Sequence, residues 1–387
     1  MKNFFENATL TVNLEGKVDT TNAAGVEKEI FTLINEHHPE KVILDVEKLT
    51  YISSVGLRII LKMKKTVHDT SVINASPDVY EIFSVTGFTD MLDVKKAYRQ
   101  IDIEGCEMIG RGGHGTVYRL DGDTIVKVYK ETEPFDEIER EVAYAKKAFT
   151  YGIPTAISFD LVKCGSCYGI VFELINADTF AKEINAEPEK FDEYSAKYSA
   201  LFKSLHDTKA DTGIFESTKD LYNKWIDDLT ETYTSDEIAT LHQVVNSIPD
   251  CTGLVHGDIH PNNVMVQDGE LVFIDMADLT YGHRIFDYAG MVLTHVTAKL
   301  YAKKLFGVDG DTMEKLFDNV MKADFPDKTD EELEKIKKVI LGYGGIKYAI
   351  VSAVDKNLDP EIAAQVIKRA KEEIIPAAKY LIGAIDF

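Results

Sequence analysis

The chain is poor in cysteine, and its positive charge is outweighed by negative; each shortage excludes something. Its four cysteines (Cys106, Cys164, Cys167 and Cys251) are too few for 387 residues to be stapled into a disulfide framework. Lys and Arg number 43 against 65 Asp and Glu, a formal charge of −22, so no broad cationic face is on offer to nucleic acid or an anionic membrane. No apolar run approaches the roughly 18 residues of a membrane-spanning helix. The opening Met1–Asn7 reaches an acid, Glu6, before any apolar stretch develops. The reading is therefore a soluble, cytoplasmic protein. Hydrophobic residues at 45% and charged residues at 28% exclude global disorder.

The length suggests two or three domains at roughly 100–200 residues each. The charge is divided unequally. Residues 1–100 carry 12 basic and 14 acidic side chains, a net of −2, and the remainder carries −20. Two units with different surfaces are expected, with a boundary near residue 101.

In the first unit, Leu10–Leu14 alternates as a strand. Asp19-Thr20-Thr21-Asn22 offers N-cap chemistry for a helix to about His37, and Lys41–Val46 reads as a buried strand. Ser53-Ser54 is then expected to cap a helix bearing Val55, Ile59, Ile60 and Met63. A strand Ser71–Ala75 and a short helix at Val79–Phe83 complete a small mixed sheet with helices on it, an α/β unit. A serine at a helix N-terminus is an ordinary cap, and also a place where a phosphate would be stabilised.

Four segments together resemble a STAS domain, the fold of anti-sigma factor antagonists, over about residues 5–100. They are Glu15-Gly16-Lys17-Val18-Asp19, Val42–Val46, Ile52-Ser53-Ser54-Val55-Gly56-Leu57 and Ser76-Pro77 with Thr86-Gly87-Phe88. That resemblance implies a protein-binding switch whose phosphorylatable serine corresponds to Ser54. Ser53 departs from the aspartate usual in that loop. A protein partner such as an anti-sigma factor is implied.

After residue 101 the pattern changes. Gly110-Arg111-Gly112-Gly113-His114-Gly115-Thr116-Val117 is a glycine run whose backbone can approach phosphates, with Val117 able to cover an adenine ring. A dinucleotide fold would need a helix next. Instead Tyr118-Arg119-Leu120, the turn Asp121-Gly122-Asp123 and Thr124–Tyr129 read as a β-hairpin, the kinase-type arrangement. Lys127 then occupies the strand position that holds nucleotide phosphates. An anionic partner is expected on the helix Phe135–Phe149; Glu139 and Glu141 both qualify, with Glu141 preferred. Cys164-Gly165-Ser166-Cys167 reads as a hairpin turn rather than half a zinc site.

The densest signal is His256-Gly257-Asp258-Ile259-His260-Pro261-Asn262-Asn263, followed by the apolar strand Leu271–Ile274 and Asp275. Phosphoryl transfer needs a carboxylate at the acceptor hydroxyl, plus an amide and a second carboxylate that hold Mg²⁺ on the phosphates, and this spacing supplies all three. His-Gly-Asp in place of His-Arg-Asp, Ile274-Asp275-Met276-Ala277 in place of Asp-Phe-Gly, and Gly282-His283-Arg284-Ile285-Phe286-Asp287-Tyr288-Ala289 downstream resemble the aminoglycoside phosphotransferase and choline kinase-like families.

That resemblance covers residues 101–387. It implies an α+β bilobal protein-kinase-like fold with a small lobe at about 101–176 and a helical large lobe at about 177–387. By it, Asp258 is the catalytic base, Asn263 and Asp275 are metal ligands, and Asp287 is a structural anchor. Gly110, Gly112, Gly113, Gly115, Val117, Lys127 and Glu141 bind ATP, with backbone near Glu173 and Ile175 at the adenine edge. Helices are expected at Phe191–His206, Leu221–Thr232, Asp236–Ser247, Glu314–Ala323, Asp330–Leu341 and Pro360–Ala370.

The implied activity is ATP- and Mg²⁺-dependent transfer to an unidentified hydroxyl acceptor. The acids are either a solvated helix face or an attraction for a cationic acceptor. The rival reading is a non-catalytic nucleotide sensor acting through its STAS domain.

Overall fold

The computed structural model describes residues 2–354 and 358–387. Contacts divide them into two compact units. One runs to Asp102 and includes Leu161–Ser166; the other holds Ile103–Asp160 and Cys167–Phe387.

The N-terminal unit is a five-stranded sheet in the order Asn3–Glu6, Thr9–Val18, Lys41–Ile52, Asp69–Ala75, Asp93–Lys96. The first pair is antiparallel and the others are parallel. Parallel neighbours need crossovers, and helices Ala23–His37, Ser54–Thr66 and Pro77–Val85 provide them. Alternation puts Leu10, Val12 and Leu14 of one strand and Val42, Leu44 and Val46 of the next into one core, with Ile30, Ile34, Ile60 and Met63 from the helices.

Two expectations for this unit need correction. The third strand does not stop at Val46 but continues to Ile52, because Leu49 and Ile52 remain in the core and the strand takes up its two surplus residues by bulging opposite Asn13–Glu15 and Gly16–Lys17. Neither proposed cap is made. Asn22 turns its side chain back to the Asp19 amide and the Lys17 carbonyl, and Ser53 Oγ is buried without a hydrogen-bond partner.

In the second unit, strands Glu107–Arg111, Gly115–Arg119, Thr124–Tyr129 and Cys167–Glu173 pair antiparallel in sequence and carry helix Phe135–Thr150. Asp121 Oδ1 accepts the amides of Asp123 and Thr124 (2.9 and 2.8 Å), closing the tight turn expected there.

The large lobe packs helices Phe191–Asp207, Thr218–Asp227, Ser235–Asn246, Gly310–Asp324, Asp330–Val354 and Pro360–Arg369 around a core that includes Tyr198, Phe202, Phe273 and Tyr288. The helix expected to end at Leu341 runs on to Val354. Its Gly342-Tyr343-Gly344-Gly345 stretch looks like a stop, but Gly344 lies so close to Val292 that a β-carbon would collide with it. Those glycines serve packing. Helix Ile285–Met291, which carries Asp287, had not been expected.

Candidate active site

Lys127 is the hub. Its strand presents Nζ 2.9 Å from Glu141 Oε1 and 3.1 Å from Asp275 Oδ1. Glu141 is buried, and its other oxygen accepts the Tyr129 hydroxyl at 2.5 Å. Burial works against the lysine's charge, but Asp275 and Glu141 outweigh it and hold its pKa above the ordinary lysine value. Burial, then Glu141, drives the Tyr129 phenol far up, so it stays a neutral donor. Of the two candidate partners for Lys127, Glu141 is the one in contact.

The glycine run forms the end of the hairpin over a cavity of about 530 Å³, lined by Gly110, Gly112, Gly113, Gly115, Val117, Lys127, Glu141, Glu173, Ile175 and Asp275. That volume lies within the range of ligand sites, roughly 300–1,000 Å³. Only one of its glycines is demanded by sterics: a β-carbon on Gly115 would strike the Val128 carbonyl, whereas Gly112 and Gly113 face open space. At the far edge the amides of Glu173 and Leu174 donate inward, to Ile157 O (2.9 Å) and Asp123 O (2.8 Å). His114, at the hairpin tip, is held above its usual pKa, first by its hydrogen bond to Glu133 (3.1 Å).

The loop His256–Asn263 is built from below. Asp287 is completely buried, and its carboxylate accepts the amides of His256 and Gly257 and the ring N–H of His206, each at 2.8 Å. Gly257 is at φ 89°, where a β-carbon would also meet the Asp278 carbonyl, so the position requires glycine. Asp258 follows it. Asn263 donates to both the Asp258 carboxylate and its carbonyl, at 3.0 Å each, and His260 Nε2 lies 3.4 Å from the same carboxylate. Burial alone would raise the Asp258 pKa. The hydrogen bonds from His260, first, and from the Asn263 amide overcome this and hold the group well below the usual carboxylate range. Asn263 O accepts the Ile274 amide (2.9 Å), which ties the loop to Asp275, itself at φ 61°.

Asp258 and Asn263 are outside the walls of the nucleotide-sized cavity and reach it through that backbone bond. Ser54 belongs to the other unit, where it is the exposed first residue of its helix.

A divalent metal fits the donors present. Asp275 and Asn263 supply a carboxylate and an amide oxygen, hard donors of the kind Mg²⁺ takes in company with phosphate and water. No cluster of three or more His, Cys, Asp or Glu able to hold a metal exists among the described residues.

Three residues escaped the sequence reading. Asp278 packs against Gly257; desolvation, then the charges of Asp258 and Asp275, push it up to about 6 against the pull of Lys347 and His114. Its position three residues past Asp275 was the available signal. His206 and Lys347 come from distant helices and carry no local signature.

Residues 3–101 match the STAS domain model, and residues 106–305 match that of the phosphotransferase enzyme family. BtrV of Bordetella bronchiseptica, which carries the name of an anti-sigma factor antagonist, is 32% identical over 85 residues, 21% of this chain and 72% of that protein. A Methanobrevibacter smithii protein, described as a probable bifunctional tRNA threonylcarbamoyladenosine biosynthesis protein, is 30% identical over 106 residues, 27% of this chain but only 17% of its own length. Among solved structures, the streptomycin–ATP–APH(2″)-IIa ternary complex superposes with a TM-score of 0.50 at 16% identity, covering 70% of this chain and 92% of that one, a likeness of fold. The chain belongs to the phosphotransferase enzyme family, with a STAS domain ahead of the kinase-like unit.

Proposed function

We propose that the protein uses ATP and Mg²⁺ to transfer the γ-phosphoryl group to a hydroxyl acceptor, and that its STAS domain regulates this or carries its result to a protein partner. The observation that carries the reading is Lys127 bonded at once to buried Glu141 and to Asp275 beneath the glycine hairpin. A lysine so held is a fixed cation for phosphate oxygens.

In the transfer, the acceptor oxygen bonds to phosphorus as the bond from phosphorus to the leaving diphosphate oxygen breaks, and the hydroxyl proton departs. Asp258 orients that hydroxyl by accepting its hydrogen bond. Because its pKa is depressed, it takes the proton late and passes it to solvent. Asn263 and Asp275 would hold Mg²⁺, which when bound neutralises charge on the phosphates. Lys127 and the hairpin amides position the phosphates, while Val117 and the Glu173–Ile175 edge enclose the base. Asp258, Asp275 and Asp278 favour an acceptor bearing a cation, such as an amino alcohol.

We place the boundary between the units near residue 101, with the small lobe to about 176, and site the protein in the cytoplasm. Ser54, exposed at a helix start, is the phosphoacceptor expected in a STAS switch.

The test is transfer of γ-phosphate from labelled ATP by the full chain with Mg²⁺, to water and to a panel of amino alcohols and sugars, beside Asp258→Asn. No nucleotide binding, or equal turnover in the variant, would sink the reading. Phosphopeptide mapping that finds Ser54 unmodified, alone and with cell extract, would remove the switch from it.

A further inference from the structure

Lys347 lies in the middle of helix Asp330–Val354, beyond the stretch that matches the family model. Mid-helix lysines ordinarily run out to water, because burying an ammonium is expensive. This one turns inward. Its Nζ donates to the Gly257 carbonyl at 3.1 Å, and the Tyr222 hydroxyl shares it. Burial opposes its charge, but Tyr222, Asp287 and Asp258 hold its pKa above the ordinary value, so it remains an ammonium. The chain also leaves it room: a β-carbon on Gly290 would come within 3.1 Å of Nζ.

Its contact completes a set. The amides of His256 and Gly257 go to Asp287, and the amide of Asp258 approaches His256 Nδ1 at 3.4 Å. The Gly257 carbonyl belongs to the peptide that leads directly into Asp258. With Lys347 on its oxygen and His256 on its N–H, that peptide is gripped at both ends. The ammonium also stands among Asp258, Asp278 and Asp287, where like charges would otherwise repel.

We infer that Lys347 is a positioning residue: a fixed cation beneath the catalytic loop that orients the Gly257–Asp258 peptide and offsets the surrounding carboxylates, so that Asp258 is presented to the acceptor. The inference rests on the phosphotransferase reading for its kinetic part and on the geometry alone for its structural part.

The full chain is compared with Lys347→Met and Lys347→Arg. Amide hydrogen exchange on metal-free, nucleotide-free protein should show residues 254–263 exchanging about tenfold faster in Lys347→Met, with the other helices of the unit unchanged. Turnover should fall roughly 10- to 100-fold, with the KM for ATP within about twofold, as for loss of a group that supports a catalytic residue. Lys347→Arg should recover most of both. Unchanged exchange at 254–263, a loss confined to KM, or an arginine variant no better than methionine would overturn the inference. Should Lys347→Met not fold, Tyr222→Phe keeps the ammonium and removes its hydroxyl partner. It should give a smaller increase in the same segment, and no increase there counts against the role. Should the wild type transfer no phosphate, the functional reading falls while the exchange measurement still decides the place of Lys347.

Discussion

Lys127 and Asp275, 148 residues apart in the chain, meet at 3.1 Å, and the lysine's other contact is buried Glu141. One side chain thus joins the small-lobe sheet, the small-lobe helix and the segment that follows the large-lobe hairpin.

Removing Lys127 strands Glu141, which has only the Tyr129 hydroxyl left. Lys127→Met should cost about 3 kcal/mol of stability, the order expected when one partner of a buried pair is deleted. Adding Glu141→Gln should recover much of it. Urea denaturation of the two single variants and the double variant measures the coupling, and additive losses would contradict it.

Asp275→Asn removes a carboxylate from the proposed metal site while leaving the buried Lys127–Glu141 bond in place. Nucleotide affinity should lose its dependence on Mg²⁺, a change of about tenfold at saturating metal. Calorimetric titration of an ATP analogue with and without Mg²⁺ reads this directly. An unaltered metal dependence would move the site elsewhere.

Asp287→Ala leaves the amides of His256 and Gly257 and the His206 ring without their acceptor. A loss of about 3–5 kcal/mol is expected. Asp287→Asn, which keeps a carbonyl oxygen, should lose clearly less. Equal losses would mean that the charge, rather than the acceptor geometry, holds the loop.

The glycine hairpin separates motif from necessity. Gly115→Ala should destabilise by about 1–3 kcal/mol, because the new methyl must push back the Val128 carbonyl. Gly112→Ala and Gly113→Ala meet nothing and should leave thermal stability nearly unchanged. Any cost they show should fall on nucleotide binding.

Asp278 carries a pH signature. Its pKa is raised to about 6 from an ordinary 3.8, so the folded protein binds this proton more tightly than the unfolded chain does. The stabilisation from that proton is fully present below about pH 4 and is lost as pH rises through about 6. Metal-free Asp278→Asn should therefore match the wild type at pH 4 and melt at a higher temperature at pH 7. A constant difference between the two across that window would dismiss the raised pKa of Asp278.

What could be read ahead of the structure follows from how local each feature is. The loop His256–Asn263 and Asp275 fall within twenty residues, and their chemistry dictates their spacing. Alternation in Thr9–Val18 and Lys41–Ile52 follows from one buried sheet face. The Glu139–Glu141 choice was a matter of helix phase, which spacing alone leaves open. Ser53 and Asn22 look like caps in sequence, but Asn22 bonds back to Asp19 and Lys17 and Ser53 Oγ makes no hydrogen bond. His206, Asp278 and Lys347 matter through what they touch across the fold, and a distant contact leaves no mark on neighbouring residues.

The position of Lys347 has a consequence for how such chains are cut and compared. The match to the phosphotransferase family model ends at residue 305, and every motif residue of the kinase-like unit lies inside it. The floor of the His256–Asn263 loop does not: the helix that supplies Lys347 and packs Gly344 against Val292 begins at Asp330. A fragment trimmed to the shared segment would pass every motif inspection and yet hold Asp258 on an unsupported peptide. Completeness of signature and completeness of machinery are separate properties in this protein.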